Sequence, residues 1–139
     1  MKYVVDASVS IKWYVPEIYS PQAVLLLAPS NELFAPELLL LEFGNIAWKK
    51  SRRGEITDLQ ARNMMNQLLA AGVQIFSHDY LSSAALSGAL QTGQTVYDWS
   101  YLALAVALNC EMVTADEKFY RALETTKLKR HLLFIADII

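Results

Sequence analysis

Residues 98–116, DWSYLALAVALNCEMVTAD, decide how this chain folds. From Tyr101 to Leu108 the run is apolar on every side. A helix formed there has no polar stripe to show to water, so it must be buried between layers. After Asn109 and Cys110, EMVT (111–114) reads as a short strand. An acid opens the helix, Asp98, and another follows the strand by two residues, Asp116.

The alternation extends outward from this segment. KYVV (2–5) reads as a buried strand ended by Asp6, and Ser8 to Val15 as a helical segment. Pro16 and Pro21 bracket a loop before QAVLLLA (22–28), a second helix closed by Pro29. Leu33 to Ala35 is a brief extended piece, and Pro36 suits the first turn of a helix running from Glu37 to about Arg53. Gly54 is a normal stop for it. Thr57 and Gln60 have the form of a capping box for a helix to about Ala71, whose Ala61, Met64, Met65, Leu68 and Leu69 keep helical spacing. VQIF (73–76) reads as a strand, 79–91 as a helix ending near Gly93, 117–126 as a helix and LLFI (132–135) as the last strand. Alternating strands and helices predict an α/β fold, a central and mainly parallel sheet with helices on both faces. No repeat, low-complexity stretch or linker divides residues 1–139, so one domain is expected.

Composition narrows the function classes. The chain is 54% apolar; with Gly counted in place of Tyr it still exceeds the roughly 45–50% usual for globular chains. That surplus points to dimerisation. No run approaches the roughly 18 apolar residues that cross a bilayer, and Asp6 arrives after only three apolar residues, so no signal-peptide core is expected. A single cysteine, Cys110, excludes an internal disulfide or a cysteine-rich zinc site and points to a reducing, cytoplasmic setting. The net charge of −2 offers no bulk attraction to a polyanion, so any nucleic-acid contact must be local.

The positions of the acids carry the chemistry. Ligands gather at the carboxyl ends of strands in open parallel sheets, so Asp6 and Asp116 belong to one rim. Asp98, at a helix N-terminus, belongs to the same rim, where the dipole favours a carboxylate. Glu42 interrupts LLLLEF inside a helix; its i±3 and i±4 neighbours are Leu38, Leu39, Asn45 and Ile46, none basic. A carboxylate among leucines without a local ion pair is costly unless something else compensates it, and a bound cation does so. Four carboxylates with no cysteine among them and only two histidines in the chain suit Mg²⁺ or Mn²⁺ better than zinc or copper.

Four segments together, VVDASVSIKW, ELLLLEFGNIAW, YDWSYLALAVAL and VTADEKF, resemble the PIN-domain nucleases and, more narrowly, the VapC-type toxins of prokaryotic toxin–antitoxin pairs. The resemblance runs in order from about residue 3 to 120. It implies an α/β/α sandwich and Mg²⁺- or Mn²⁺-dependent cleavage of RNA to a 5′-phosphate and a 3′-hydroxyl. It also implies a VapB-like antitoxin laid across the acidic groove, and a homodimer. Asp6, Glu42, Asp98 and Asp116 match the acidic quartet, Ser8 and Thr114 its supporting hydroxyls, and Asn45 the amide one turn after the helix acid. On this reading Asp6, Asp98 and Asp116 hold one cation and Glu42 reaches a second or binds through water. Trp99, after Asp98, departs from the small residue common there and either narrows the groove or packs beneath it.

Each acid has a plainer reading: Asp6 as a turn residue, Asp98 and Asp116 as helix caps. Lys12 and Lys118, near Asp6 and Asp116, and the basic stretch Lys49, Lys50, Arg52 and Arg53 are candidate RNA contacts, although basic residues at a helix end also suit the dipole. A second basic stretch holds Lys127, Lys129 and Arg130. His78 and His131 read as surface residues and Cys110 as a small buried hydrophobe. Competing functions are a catalytically silent binding module, a DNA nuclease of the same superfamily and a phosphoacceptor receiver. The last wants an acidic pair after the first strand, which VVDAS lacks.

Overall fold

A computed structural model describes residues 1–139. Five strands, β1 (Lys2–Val5), β2 (Glu32–Pro36), β3 (Gln74–Phe76), β4 (Glu111–Thr114) and β5 (Leu132–Phe134), form one sheet in the order β3-β2-β1-β4-β5, with every pairing parallel. The helices are α1 (Ala7–Ser10), α2 (Ser20–Leu25), α3 (Leu38–Arg52), α4 (Asp58–Ala70), α5 (His78–Thr92), α6 (Val96–Leu108) and α7 (Glu117–Leu123), with 3-10 turns at 11–13, 127–131 and 135–137.

Alternate strand residues feed two unequal cores, as a period of two requires. Val4, Phe34 and Met112 face the larger one, with Leu39 and Phe43 of α3, Met64 and Leu68 of α4, Leu81 of α5 and residues 101–105 of α6. Val5, Leu33 and Val113 face the smaller one, with Val9, Ala23, Leu26 and Ile135. The deciding segment behaves as its composition demands: α6 is buried continuously from Trp99 to Ala105. Its N-terminal turn leans on α5, where the Trp99 indole lies against Gly88 and donates from Nε1 to Thr92 Oγ1 at 2.8 Å. Trp99 therefore packs between α6 and α5 and does not narrow the groove.

Several sequence expectations shift. Pro36 ends β2, in register with Phe76, instead of opening α3; at the end of the ladder its missing N–H costs nothing. The helix expected over 117–126 stops at Leu123, and residues 127–131 form a 3-10 turn before the three-residue β5. His131 is buried, not superficial: its Nδ1 meets the Cys110 carbonyl at 3.0 Å while Nε2 accepts from Arg130 Nε at 3.2 Å. Cys110 is only half-buried. His78 is exposed yet engaged, because its Nε2 accepts the Leu38 N–H and Glu37 Oε1 accepts the His78 N–H, both at 2.9 Å. This exchange ties the start of α3 to the start of α5. No helix is long and apolar enough to cross a membrane.

Glu17 fastens the other end of α3. It accepts from Lys50 Nζ at 2.8 Å and from Lys12 Nζ at 3.2 Å, with both ammonium groups largely covered. Burial raises the Glu17 carboxyl, but the two lysines outweigh it and hold it below its ordinary range. Its contribution is therefore present above that range and fades as pH falls through the lowered pKa. Glu17→Gln should cost about 1–2 kcal/mol at neutral pH, between exposed and buried pairs. Urea unfolding of both proteins at pH 7 and pH 3 checks this: the gap should close in acid, and an equal gap at both would refute it.

Candidate active site

Chain order reverses between β1 and β4, and open parallel sheets leave a crevice outside the carboxyl ends of strands at such a point. Asp6 leaves β1 there, and Asp116 follows β4. The first turn of α6 adds Asp98, and α3 adds Glu42. All four line one cleft of about 280 Å³, together with Ala7, Ser8, Asn45, Ile46, Lys49 and Tyr101. The structure thus gathers the four acids with Ser8 and Asn45, while Thr114 stands directly behind them.

Asp6 is the most constrained of the set, 8% exposed. Its Oδ1 accepts from Ser8 Oγ at 2.6 Å and from the Val9 N–H at 3.1 Å; its Oδ2 accepts from Thr114 Oγ1 at 2.6 Å. The two hydroxyls are held in turn, Ser8 Oγ accepting the Ala115 N–H and Thr114 Oγ1 the Asp116 N–H. Asp6 is also the N-cap of α1. Burial nevertheless raises its pKa from 3.8 to about 6; the three hydrogen bonds oppose that rise, and Glu42 adds to it.

The other acids form a chain of like charge. Burial raises Glu42, with Asp98 adding to the effect against a lowering bond from Tyr101. Burial likewise raises Asp98, with Thr95 opposing and Asp116 adding. Thr95, not Asp98, caps α6: its hydroxyl accepts the Asp98 N–H at 3.1 Å, which leaves the Asp98 carboxylate to the cleft. Asp116 does cap α7, accepting the Phe119 N–H at 3.0 Å, and lines the cleft as well.

Sequence reasoning missed Tyr101. Its hydroxyl donates to Glu42 Oε1 at 2.6 Å across 59 residues, and burial together with Glu42 pushes the phenol far above its ordinary pKa, so it remains a donor. The available signal was the single polar tip in an otherwise apolar helix, because a buried Tyr hydroxyl needs a partner. Tyr101→Phe should destabilise the protein by about 1–2 kcal/mol at pH 8, since Glu42 is half-exposed and the bond is charge-assisted. The bond favours ionised Glu42, so the loss should shrink as the pH falls and Glu42 protonates. Paired melts at pH 8 and pH 4.5 measure it, and equal losses would refute the argument.

Most of the candidate basic contacts lie outside the cleft lining. Lys12 is committed to Glu17, the Arg52 guanidinium lies 5.0 Å over the Trp48 ring, and Arg53 and Lys118 are not among the lining residues. Lys127, Lys129 and Arg130 precede β5, at the opposite rim. Lys49 is the one cation lining the cleft.

By donor type the site fits a hard divalent cation, with four carboxylates, none of them in an ion pair with Lys, Arg or His. The acids stand on separate walls, and no three are drawn together as a ready-made ligand group.

Fold and cleft together define an α/β protein of the PIN class. Residues 3–124 match the PIN domain family, and the chain belongs to it. It is similar to Ribonuclease VapC3 of Pyrobaculum aerophilum, 36% identical over 120 residues, 85% of this chain and 92% of that protein. Among solved structures it resembles PAE2754 from Pyrobaculum aerophilum (TM-score 0.70, 23% identity, 98% of this chain and 85% of that one). It also resembles a toxin–antitoxin complex from Klebsiella pneumoniae (TM-score 0.63, 12% identity, 96% and 97%). At those identities the structures establish the shared fold.

Proposed function

We propose that this chain, as one PIN-like domain spanning residues 1–139, is a metal-dependent endoribonuclease of the VapC toxin type. The observation that carries the reading is the convergence of Asp6, Glu42, Asp98 and Asp116, from four separate elements, on one cleft at the switch point with no ion-pair partner for any carboxylate. The 36% identity to a protein named as a ribonuclease supports the substrate class. On this reading Asp6, Asp98 and Asp116 hold one Mg²⁺ or Mn²⁺, and Glu42 reaches a second or binds through water. A bound cation supplies a water that ionises near neutral pH and positive charge facing the phosphate.

The chain's own residues hold this arrangement in place. Ser8, Thr114 and the Val9 N–H fix both oxygens of Asp6, so its carboxylate cannot turn away. Tyr101 anchors one oxygen of Glu42 and leaves the other available. Asn45 offers an amide to the cleft wall. An antitoxin partner is supported by the structural likeness to a toxin–antitoxin complex. A homodimer is supported by exposed apolar residues such as Leu41, Leu86, Leu90 and Tyr97. A cytoplasmic setting agrees with one unpaired cysteine.

The test is cleavage of mixed single-stranded RNA, with single-stranded DNA in parallel, by purified protein in Mg²⁺, in Mn²⁺ and in EDTA. Cleavage of RNA that EDTA abolishes is the expected result. Cleavage of DNA alone would favour the DNA nuclease reading. No cleavage and no calorimetric cation binding by folded protein would leave a PIN-fold binding module.

A further inference from the structure

Of the candidate basic residues, Lys49 alone lines the cleft. Residues 42, 45, 46 and 49 follow helical spacing, and all four line the cleft from one face of α3. Seven residues at 1.5 Å each put Lys49 about 10 Å along the helix from Glu42, beside the acids and not among them. Its neighbour Lys50 and the nearby Lys12 are both taken by Glu17, whereas Lys49 has no ion-pair partner. It is exposed, on a long flexible stem. An unpaired ammonium at the edge of a cluster of four carboxylates is unusual, because the acids attract it and its stem gives it reach.

We infer that Lys49 is a substrate-binding residue of this cleft, gripping a backbone phosphate of single-stranded RNA next to the one held over the acids. The inference rests on the nuclease reading above and adds to it the direction in which the strand runs, outward along α3. Cations bound to the acids remove their competition for the ammonium, which is then left to the incoming polyanion. Lys is suited to this as a point charge that asks no fixed geometry of the phosphate. The chain has no net positive charge to draw RNA in, so one well-placed cation carries a large share of the local attraction.

The experiment is steady-state cleavage of a labelled RNA oligonucleotide across a KCl series by wild type, Lys49→Ala, Lys49→Arg and Lys129→Ala. Lys129, exposed at the opposite rim, controls for the loss of one charge. Lys49→Ala should raise KM about 5–10-fold at low salt and leave kcat within about twofold. One lost phosphate contact should reduce the slope of log KM against log salt by about 0.7. Lys49→Arg should restore most of the affinity, and Lys129→Ala should behave as wild type. Anisotropy of the same RNA with Asp98→Asn protein, with and without Lys49→Ala, reads binding where cleavage is silenced. An unchanged KM and salt slope in Lys49→Ala, while wild type cleaves normally, would overturn the inference and leave the nuclease reading intact. A lowered urea midpoint in both Lys49 variants would show instead a prop for the acid cluster and overturn it too. Wild-type protein that neither cuts nor binds RNA would remove the nuclease reading itself.

Discussion

Asp6→Asn is expected to yield a protein that no longer cuts RNA and that, without metal, is harder to unfold than the wild type. The two effects share one cause. Asp6 is buried, and its pKa of about 6 shows that the charged form is held at a cost in spite of three hydrogen bonds. A rise of about two units is worth roughly 3 kcal/mol as an upper bound. Asparagine keeps the acceptor for Ser8 and Val9 and can donate to Thr114, so about 1–2 kcal/mol of added stability at pH 8 is expected. The pH dependence follows in sign. A carboxyl raised in the folded state favours folding fully below its unfolded pKa near 4, and that contribution is lost as pH rises through about 6. Metal-free wild type should thus weaken over this window, and Asp6→Asn should weaken less. On the proposed mechanism Asp6 is a cation ligand, and its loss removes several kcal/mol of charge stabilisation. At about 1.4 kcal/mol per tenfold, that is at least a 100-fold loss of rate. Melts with EDTA and with Mn²⁺ read both sides: Mn²⁺ should raise the wild-type midpoint and leave the variant unmoved. A variant that is less stable in EDTA would contradict the account of Asp6.

The second large effect is expected far from the cleft floor. A methyl group on Gly88 would fall inside the Trp99 ring. Trp99 has little room to yield, being 7% exposed and tied through Nε1 to Thr92. Overpacking of this kind commonly costs 1–3 kcal/mol and occasionally more, and alanine returns about 1 kcal/mol through helix propensity. With the clash at the upper end of that range, a net loss of about 2 kcal/mol is expected for Gly88→Ala, measured by urea unfolding. Cleavage should fall as well, because Asp98 adjoins Trp99 and any shift of the α6 N-terminus carries it. Trp99→Leu should be costly alone but should relieve the clash, so the double variant should lose less than the sum. Strict additivity would show that the two residues do not press on one another.

Much of this was legible in the chain. Local signals gave clear boundaries: the Thr57–Gln60 capping box forms with both bonds, and Gly54, Gly72 and Gly93 take the left-handed conformation that stops helices. The rim common to Asp6, Asp98 and Asp116 followed from strand–helix alternation alone. Contacts between distant residues were not legible. Tyr101 reads as core by pattern, and only the packing of α6 beside α3 shows that its hydroxyl meets Glu42. His131 reads as a polar end residue until the 3-10 turn carries it under the sheet edge. Which basic residue faces the cleft was not legible, because charge in a sequence says nothing about direction: Glu17 takes Lys12 and Lys50, Trp48 takes Arg52, and Lys49 is left facing the cleft.

The bond from Thr114 to Asp6 spans 108 residues, and that distance matters while the chain is being made. Strand β1 is made first, and its partner β4, the seat of Thr114 and the approach to Asp116, follows more than 100 residues later. At about 5–20 residues per second, synthesis of the intervening stretch takes roughly 5–20 s. Throughout that interval Asp6 lacks the bond from Thr114 and has only its local partners Ser8 and Val9. A product broken off before β4 lacks a central strand and one of the four acids. Assembly of the cleft therefore waits on the synthesis of β4, and a chain that has not reached Thr114 and Asp116 holds no finished site.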